Sequence, residues 1–227
     1  MRADALVEEI IGRPPEIHGP GTRWGLSPAA LRWLAARLRP GMPTLETGCG
    51  LSSIVFAAAQ TRHTVVAPDA REHERVRAWC QARGIATDGI TWVAEHSQRA
   101  LPRLPPEPLE LALIDGGHAF PTPLIDWFYI AERLQVGGVV IIDDVDLRAP
   151  RLLRDFLAAE GGRWATVPGV ERAAIFRKIA PDVIPYDDWV GQAWSRRGAG
   201  GRLRRALPAP VRAVARRARD AMAESRR

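Results

Sequence analysis

The stretch that decides the fold is Glu46-Thr47-Gly48-Cys49-Gly50-Leu51-Ser52-Ser53, which joins a predicted strand to a predicted helix. Glycine at positions 48 and 50 allows the backbone to turn sharply and to approach a ligand without a Cβ clash. The first turn of the helix adds free N–H donors at the same point. The dinucleotide fingerprint G-x-G-x-x-G is not completed, because position 53 is serine. The stretch therefore predicts a ligand-binding turn, with an ordinary tight turn as the alternative.

Strands and helices alternate on both sides of this loop, which favours a parallel sheet. The predicted strands are Thr44–Thr47, Thr64–Ala67, Ile90–Ala94, Leu109–Ile114, Val139–Ile142, Trp164–Val167 and Ala173–Lys178. The predicted helices are Ala29–Leu38, Leu51–Ala59, Glu72–Arg83, Pro123–Leu134 and Leu152–Glu160. A Pro168-Gly169 turn between the last two strands predicts a hairpin. We expect the α/β class, with a Rossmann-like, doubly wound, mostly parallel seven-stranded sheet that ends in an antiparallel hairpin.

Proline and glycine interrupt residues 1–24, so we expect no regular element there and interpret the segment as an N-terminal extension or lid. The two cysteines, Cys49 and Cys80, are too few for a disulfide framework, which favours a reducing compartment. The sequence starts without the apolar segment of a signal peptide and has no apolar run of about 20 residues. We therefore expect a cytoplasmic protein, and a homo-oligomer stays open.

The charge of the chain is unevenly distributed. The net charge is +6, but residues 196–227 contain eleven arginines against Asp220 and Glu224, so this tail carries +9 and residues 1–195 carry −3. An enzyme that acts on nucleic acid more often has its basic surface on the body. The tail predicts weak contact with an anionic surface, either lipid or nucleic acid, through phosphate groups. The alternative is a solvated tail without a partner.

Two further strands end in acidic residues. One runs into Asp115-Gly116-Gly117-His118, and the other, after Gly137-Gly138, ends at Asp143-Asp144. Because the carboxyl ends of parallel strands open into one crevice, these three aspartates should converge. Neighbouring carboxylates repel one another unless a cation joins them, and oxygen ligands suit Mg²⁺ or Ca²⁺. We therefore predict a metal site formed by Asp115, Asp143 and Asp144; the alternative is that they contact only the cofactor or cap the next turn.

Two residues near these stretches have side chains suited to cofactor binding and to proton transfer. Asp69 follows Glu46 by 23 residues, where nucleotide-binding α/β folds carry an acid for the ribose hydroxyls. A solvated aspartate at a helix start is the alternative. His118 has an unperturbed pKa near 6.5, which suits removal of a proton from a hydroxyl at neutral pH. The alternative for His118 is a loop histidine bonded to backbone.

Together, these stretches resemble class I S-adenosylmethionine (SAM)-dependent methyltransferases between Trp24 and Lys178. The combination is similar to the small Mg²⁺-dependent O-methyltransferases of the catechol and macrocin types. The resemblance implies a SAM-dependent methyltransferase domain at residues 25–180, followed by the basic tail, 181–227. The catechol type has asparagine where this chain has Asp144 and a catalytic lysine where it has His118.

The resemblance also assigns roles to single residues. It implies that Gly48 and Gly50 border the methionine part of SAM, while Glu46 orders the loop and faces the cofactor's amino group. The cofactor-binding residues that it implies are Glu46, Gly48, Gly50, Ser52, Asp69, Ser97 and Asp115. Among these, Ser97 follows the third strand and is expected at the adenine ring.

The predicted function is transfer of a methyl group from SAM to a hydroxyl oxygen of a small molecule, with His118 and Asp115 as catalytic residues and Mg²⁺ as the metal. A nicotinamide-dependent oxidoreductase is one alternative, which the missing third glycine and the terminal hairpin disfavour. A non-catalytic methyltransferase-like scaffold, which binds nucleic acid or membrane through its tail, is another.

Overall fold

A seven-stranded sheet with the order β3-β2-β1-β4-β5-β7-β6 forms the centre of the fold. Its strands are β1 (Pro43–Thr47), β2 (Arg62–Val66), β3 (Ile90–Val93), β4 (Leu109–Ile114), β5 (Leu134–Ile142), β6 (Trp164–Val170) and β7 (Ala173–Lys178). Strands β1 to β5 pair in parallel, whereas β7 pairs antiparallel with both β5 and β6. The predicted fold class is confirmed. The strand order reverses between β1 and β4, where α/β sheets open their ligand crevice.

This architecture is taken from a computed structural model that describes residues 3–22, 24–181 and 191–195. The chain divides into two compact units, Met1–Val183 and Ile184–Arg227. All of the elements named in this section belong to the first unit. In the described part of the second unit, the hydroxyl of Ser195 lies 2.7 Å from the side-chain oxygen of Gln192. The basic segment that predicts anionic contacts, residues 196–227, lies outside the described residues.

The helices lie between the strands, and most coincide with the predicted ones. They are α1 (Ala3–Gly12), α2 (Pro28–Ala35), α3 (Leu51–Ala58), α4 (Ala70–Gln81), α5 (Ser97–Ala100), α6 (Thr122–Arg133) and α7 (Arg148–Ala159), with a 3₁₀ turn at Leu101–Arg103. Helix α2 begins at Pro28, one residue before its predicted start, and the Ser27 hydroxyl caps it by accepting a hydrogen bond from the N–H of Ala30 at 3.2 Å. Helix α7 begins four residues before its predicted start, since proline at position 150 is tolerated in a first turn.

The expectation of no regular element in residues 1–24 is wrong. Helix α1 occupies Ala3–Gly12, and its Leu6, Val7 and Ile10 are buried against α2 and α3. Pro14 and Pro15 follow this helix instead of preventing it. The apolar face therefore decides the structure of the segment, because burial supplies most of the stability of a short helix.

The core consists of two apolar clusters, to which neighbouring residues of the same strand contribute alternately. In β4, Leu111 and Leu113 belong to one cluster, while Ala112 and Ile114 belong to the other. This alternation is the period of a strand whose two faces are both covered. Within the described residues, no helix has the length and apolar character needed to cross a bilayer.

Candidate active site

A cavity of about 680 Å³ opens at the carboxyl ends of the central strands. Residues 47–52, after β1, form one wall, and residues 115–118, after β4, form another. Asp144, after β5, and Arg172, from the turn between β6 and β7, also line it. Its volume lies within the range of about 300–1,000 Å³ that is typical of small-molecule sites.

Position 48 must be glycine because the backbone there packs closely against the backbone of Asp115. Its φ of +102° lies in the left-handed region, and a Cβ atom there would lie 2.9 Å from the carbonyl carbon of Asp115 and still closer to its oxygen. The loops after β1 and β4 therefore approach each other only because position 48 has no side chain. At Gly50, by contrast, a Cβ would lie 3.2 Å from Nε2 of His18, which is the end of a side chain.

Glu46 lies beneath this loop and is fully buried. Its carboxylate accepts hydrogen bonds from the hydroxyls of Ser52, at 2.6 Å, and Ser53. Its Oε1 also lies 3.2 Å from Nε2 of His63, whose Nδ1 is 2.8 Å from the hydroxyl of Thr44. These contacts tie the loop to β1 and β2. Glu46 is not among the residues that line the cavity, and its contacts in this structure are with the serine hydroxyls of the loop and with His63.

The structure places Asp69 outside the cavity. Asp69 is the N-cap of α4, where its side chain accepts from the N–H of Arg71 at 2.9 Å and pairs with the Arg71 guanidinium at 3.0 Å. The acid of α4 that lines the cavity is Glu72, one turn further along the chain. Its Oε1 lies 2.7 Å from Nδ1 of His18, which also lines the cavity. The sequence analysis did not identify Glu72, because the spacing after Glu46 indicated Asp69 instead.

Ser97, at the start of α5, is buried and lines the cavity, and His96 lines it as well. Behind Ser97 lies Asp126 of α6, which is fully buried. Burial raises the pKa of Asp126, and the hydroxyls of Ser97 and Thr47 partly oppose that rise. Asp126 was not predicted; the available signal is a single acid within the apolar part of α6.

Three polar side chains converge on the wall opposite the glycine loop. Nε2 of His118 lies 3.6 Å from Oδ1 of Asp115 and 3.3 Å from Oδ2 of Asp144. One ligand atom from each of the three residues lies within 4.8 Å of the others. The guanidinium of Arg172 contacts Oδ1 of Asp144. We call these four residues, Asp115, His118, Asp144 and Arg172, the charged cluster.

Of the predicted metal ligands Asp115, Asp143 and Asp144, the structure brings ligand atoms of Asp115 and Asp144 within 4.8 Å of each other, with His118 as the third member of the group. Asp143 is buried and is not among the residues that line the cavity, although its charge interacts with those of Asp115 and His118. His118 takes its place beside the other two, although Mg²⁺ prefers oxygen ligands. Arg172 already compensates the charge of Asp144. The residues present therefore do not fit the Mg²⁺ site that the sequence predicts.

The pKa values of three groups here, Asp115, His118 and Asp143, are raised above those of free side chains. Burial, followed by the charge of Asp115, raises the pKa of Asp143 to about 7. Burial also raises the pKa of Asp115. Contact with Asp115 raises the pKa of His118, whereas burial and Arg172 act in the opposite direction. Such perturbed groups in a cleft are typical of catalytic sites.

Comparison with known proteins identifies the fold. Residues 45–145 match the family model described as a methyltransferase domain. The O-methyltransferase TomG from Streptomyces achromogenes, which is involved in tomaymycin synthesis and was solved with SAM, superposes with a TM-score of 0.56 at 18% identity over 79% of this chain and 91% of TomG. The chain has the fold of SAM-dependent methyltransferases.

Other structures with the methyltransferase fold differ in what they are named for. Cofactor-bound Rv0187 from MTB gives a TM-score of 0.57 at 20% identity over 78% of this chain and 89% of that protein. An rRNA methylase from Streptococcus thermophilus gives 0.51 at 14% identity over 65% of this chain and 93% of that protein. A sequence comparison with curated proteins gives no significant match. At these identities the likeness concerns the fold, and the charged cluster is the guide to chemistry.

Proposed function

We propose that the protein transfers the methyl group of SAM to a hydroxyl oxygen of a small apolar molecule. The observation that carries this proposal is a single cavity with the glycine loop on one wall and the charged cluster on the other. The first wall suits the cofactor, and the second contains a base for the acceptor.

The cofactor wall combines a helix terminus with flexible backbone. The loop around Gly48 and Gly50 leads directly into α3, whose first N–H groups have no partners within the helix. We assign SAM's methionine part to this loop and its ribose hydroxyls to Glu72, the acid of α4 that lines the cavity. Ser97, further along the cavity, is assigned to the adenine ring.

His118 is assigned as the general base for the acceptor hydroxyl. Its Nε2 faces the carboxylates of Asp115 and Asp144, so Nδ1 is the ring nitrogen left to accept a proton. The acceptor oxygen then forms a bond to the methyl carbon, the electron pair of the C–S bond returns to sulfur, and the hydroxyl proton passes to His118. Asp115 orients the imidazole and stabilises its protonated form, as a carboxylate beside a catalytic histidine does.

The cavity favours a small acceptor with an apolar part. Trp24 and Leu147 both line it, and their side chains are exposed at 72% and 43%. The cavity also presents the carboxylates of Glu72, Asp115 and Asp144, which would repel RNA phosphates. These features support a small molecule over RNA, although an rRNA methylase shares the fold.

The test combines calorimetry with product analysis. We expect SAM to bind with a stoichiometry of about one and NADH to give no heat. Mass spectrometry should then detect a methylated product from a panel of phenols and hydroxylated macrocycles, with sugars and ribosomal RNA as the comparison acceptors. Absence of SAM binding overturns the proposal, and methylation of RNA alone overturns the small-molecule assignment.

A further inference from the structure

We infer that the guanidinium of Arg172 is the resident cation of the charged cluster, so that methyl transfer proceeds without a metal ion. The inference deepens the proposed function, and its rate measurements rest on that function. The measurement of metal binding does not. The inference gives Arg172, which the sequence analysis did not select, the role of a positioning residue for His118.

Side chain and main chain both hold Arg172 against the loop after β5. The guanidinium contacts Oδ1 of Asp144, and its Nε lies 3.9 Å from Oδ1 of Asp146. The carbonyl oxygen of Arg172 accepts a hydrogen bond from the N–H of Val145 at 2.8 Å. The turn between β6 and β7 is therefore docked on the residues that follow β5, and the ion pair does not depend on one mobile side chain.

The backbone at both ends of this ion pair is unusual. Asp144 has φ of +51° and Arg172 has φ of +57°, and Gln60 is the third residue other than glycine with positive φ in the described part of the chain. A side chain disfavours this left-handed conformation, so the surrounding structure must maintain it. Both residues adopt it at the point where their side chains meet, which indicates that the fold holds this contact against a local cost.

The contact fixes the direction of the Asp144 carboxylate. Oδ1 faces Arg172, so Oδ2 is directed at Nε2 of His118, at 3.3 Å. A metal ion bound by Asp115, His118 and Asp144 would need Oδ2 and the Nε2 lone pair, and it would lie beside the guanidinium. A metal ion and a guanidinium that bind the two oxygens of one carboxylate repel each other strongly in a partly buried site. Arg172 therefore occupies the electrostatic position of a metal ion and excludes one.

Metal binding gives the first test. Mn²⁺ would be titrated, with electron paramagnetic resonance of the free ion as the readout, into the full chain, Arg172→Gln and Arg177→Gln. Arg177 is the matched control, because it lies on β7 and donates to the carbonyl of Gly137 at 3.3 Å, away from the cavity. We expect Mn²⁺ binding only in Arg172→Gln, and its loss when Asp144→Asn is added. Stoichiometric binding by the unchanged chain, or none by Arg172→Gln, overturns the inference.

Turnover gives the second test, on the acceptor that the product analysis identifies. The unchanged chain should keep its full rate in EDTA, whereas Arg172→Gln should lose about 10²-fold in kcat with an unchanged Kd for SAM. Arg172→Lys or added guanidinium ion should restore part of that rate, which a merely structural loss would not allow. Loss of all activity in EDTA overturns the inference. If no acceptor is methylated at all, the proposed function fails, while the Mn²⁺ titration still decides the role of Arg172.

Discussion

The two walls of the cavity are built in different ways. The wall after β1 is held mainly by packing and hydrogen bonds: Glu46 accepts from two hydroxyls, and Gly48 packs against the backbone of Asp115, although Oγ1 of Thr47 lacks a hydrogen bond of good geometry to any described residue. In the wall after β4 and β5, Nε2 of His118 lacks a hydrogen bond of good geometry within the described part of the chain, and so does Oδ1 of the buried Asp143, which adjoins Asp144 in the chain. Buried groups of this kind are rare in native proteins and concentrate at functional sites. The first wall is therefore organised mainly by packing, whereas ionisable side chains with raised pKa values are concentrated at the second.

The largest expected effect on this comparison comes from removing His118, the proposed base. His118→Ala should lower kcat by about 10²–10⁴-fold, because general base catalysis contributes that much, while the Kd for SAM stays unchanged. In the unchanged protein, the neutral imidazole is the active form and its pKa is raised, so kcat should increase with pH through a midpoint above about 6.5. Endpoint assays of methylated product measure kcat, and calorimetry measures the Kd for SAM. A midpoint below that value, or a variant of full activity, would exclude His118 as the base.

Gly48→Ala tests the other wall. We expect the free energy of unfolding to fall by about 2–5 kcal/mol, from the left-handed φ and from overpacking against Asp115. Gly84→Ala is the control, because Gly84 has φ of +66° and open space around it, so it should lose only about 1–2 kcal/mol. Urea unfolding of both variants gives the comparison. Equal losses would show that the contact between the loops contributes nothing.

Asp143→Asn sharpens the electrostatic side of the comparison. The folded-state pKa of Asp143, about 7, lies above the ordinary value near 3.9, so the folded state binds more protons between these pH values. Stability due to this group therefore falls as the pH rises from about 4 to 7. Replacing the carboxyl with a neutral amide should stabilise the protein at about pH 8 by up to about 4 kcal/mol and flatten the profile.

Asp88→Asn is the control for that measurement, because Asp88 is exposed and is not among the groups that shift the pKa of Asp143. It should shift stability by less than about 0.5 kcal/mol at either pH. Urea unfolding at about pH 5 and about pH 8 separates the variants. Unchanged or lower stability of Asp143→Asn at the higher pH would contradict the assignment.

The smallest effect concerns the acid of the cofactor wall. Glu72→Gln should weaken SAM binding about tenfold, because a hydrogen bond to a charged group is lost. Asp69→Asn should leave the Kd for SAM within about twofold, because Asp69 caps α4 and pairs with Arg71 instead. Calorimetric titration of both variants decides which carboxylate meets the cofactor. The reverse order would restore the prediction made from sequence spacing.

The sheet could be predicted from sequence because its apolar runs end in glycine or acidic residues that are visible in order along the chain. The glycine loop and the acids after β4 and β5 were located in the same way. Helix α1 was not predicted, because Pro14 and Pro15 were taken to exclude a helix despite the apolar residues Leu6, Val7 and Ile10 before them. The proline residues lie beyond the helix and do not limit it.

The details of the charged cluster could not be predicted, because they depend on side-chain direction. Asp143 and Asp144 both follow β5, and only the three-dimensional arrangement shows that one is buried while the other lines the cavity. Arg172 lies 28 residues beyond Asp144 and has no local motif that would connect the two. Long-range pairing of a hairpin turn with a strand end is set by topology, which a pattern of residue types does not specify.

The close approach of Gly48 to Asp115 has a thermodynamic consequence. Since no free space separates the two loops, a ligand that shifts one of them also shifts the other. Affinities on the two walls are then linked, and linkage is reciprocal: the factor by which SAM changes the affinity for an acceptor must equal the factor by which that acceptor changes the affinity for SAM. Through the contact at Gly48, we therefore expect binding on one wall to depend on binding on the other.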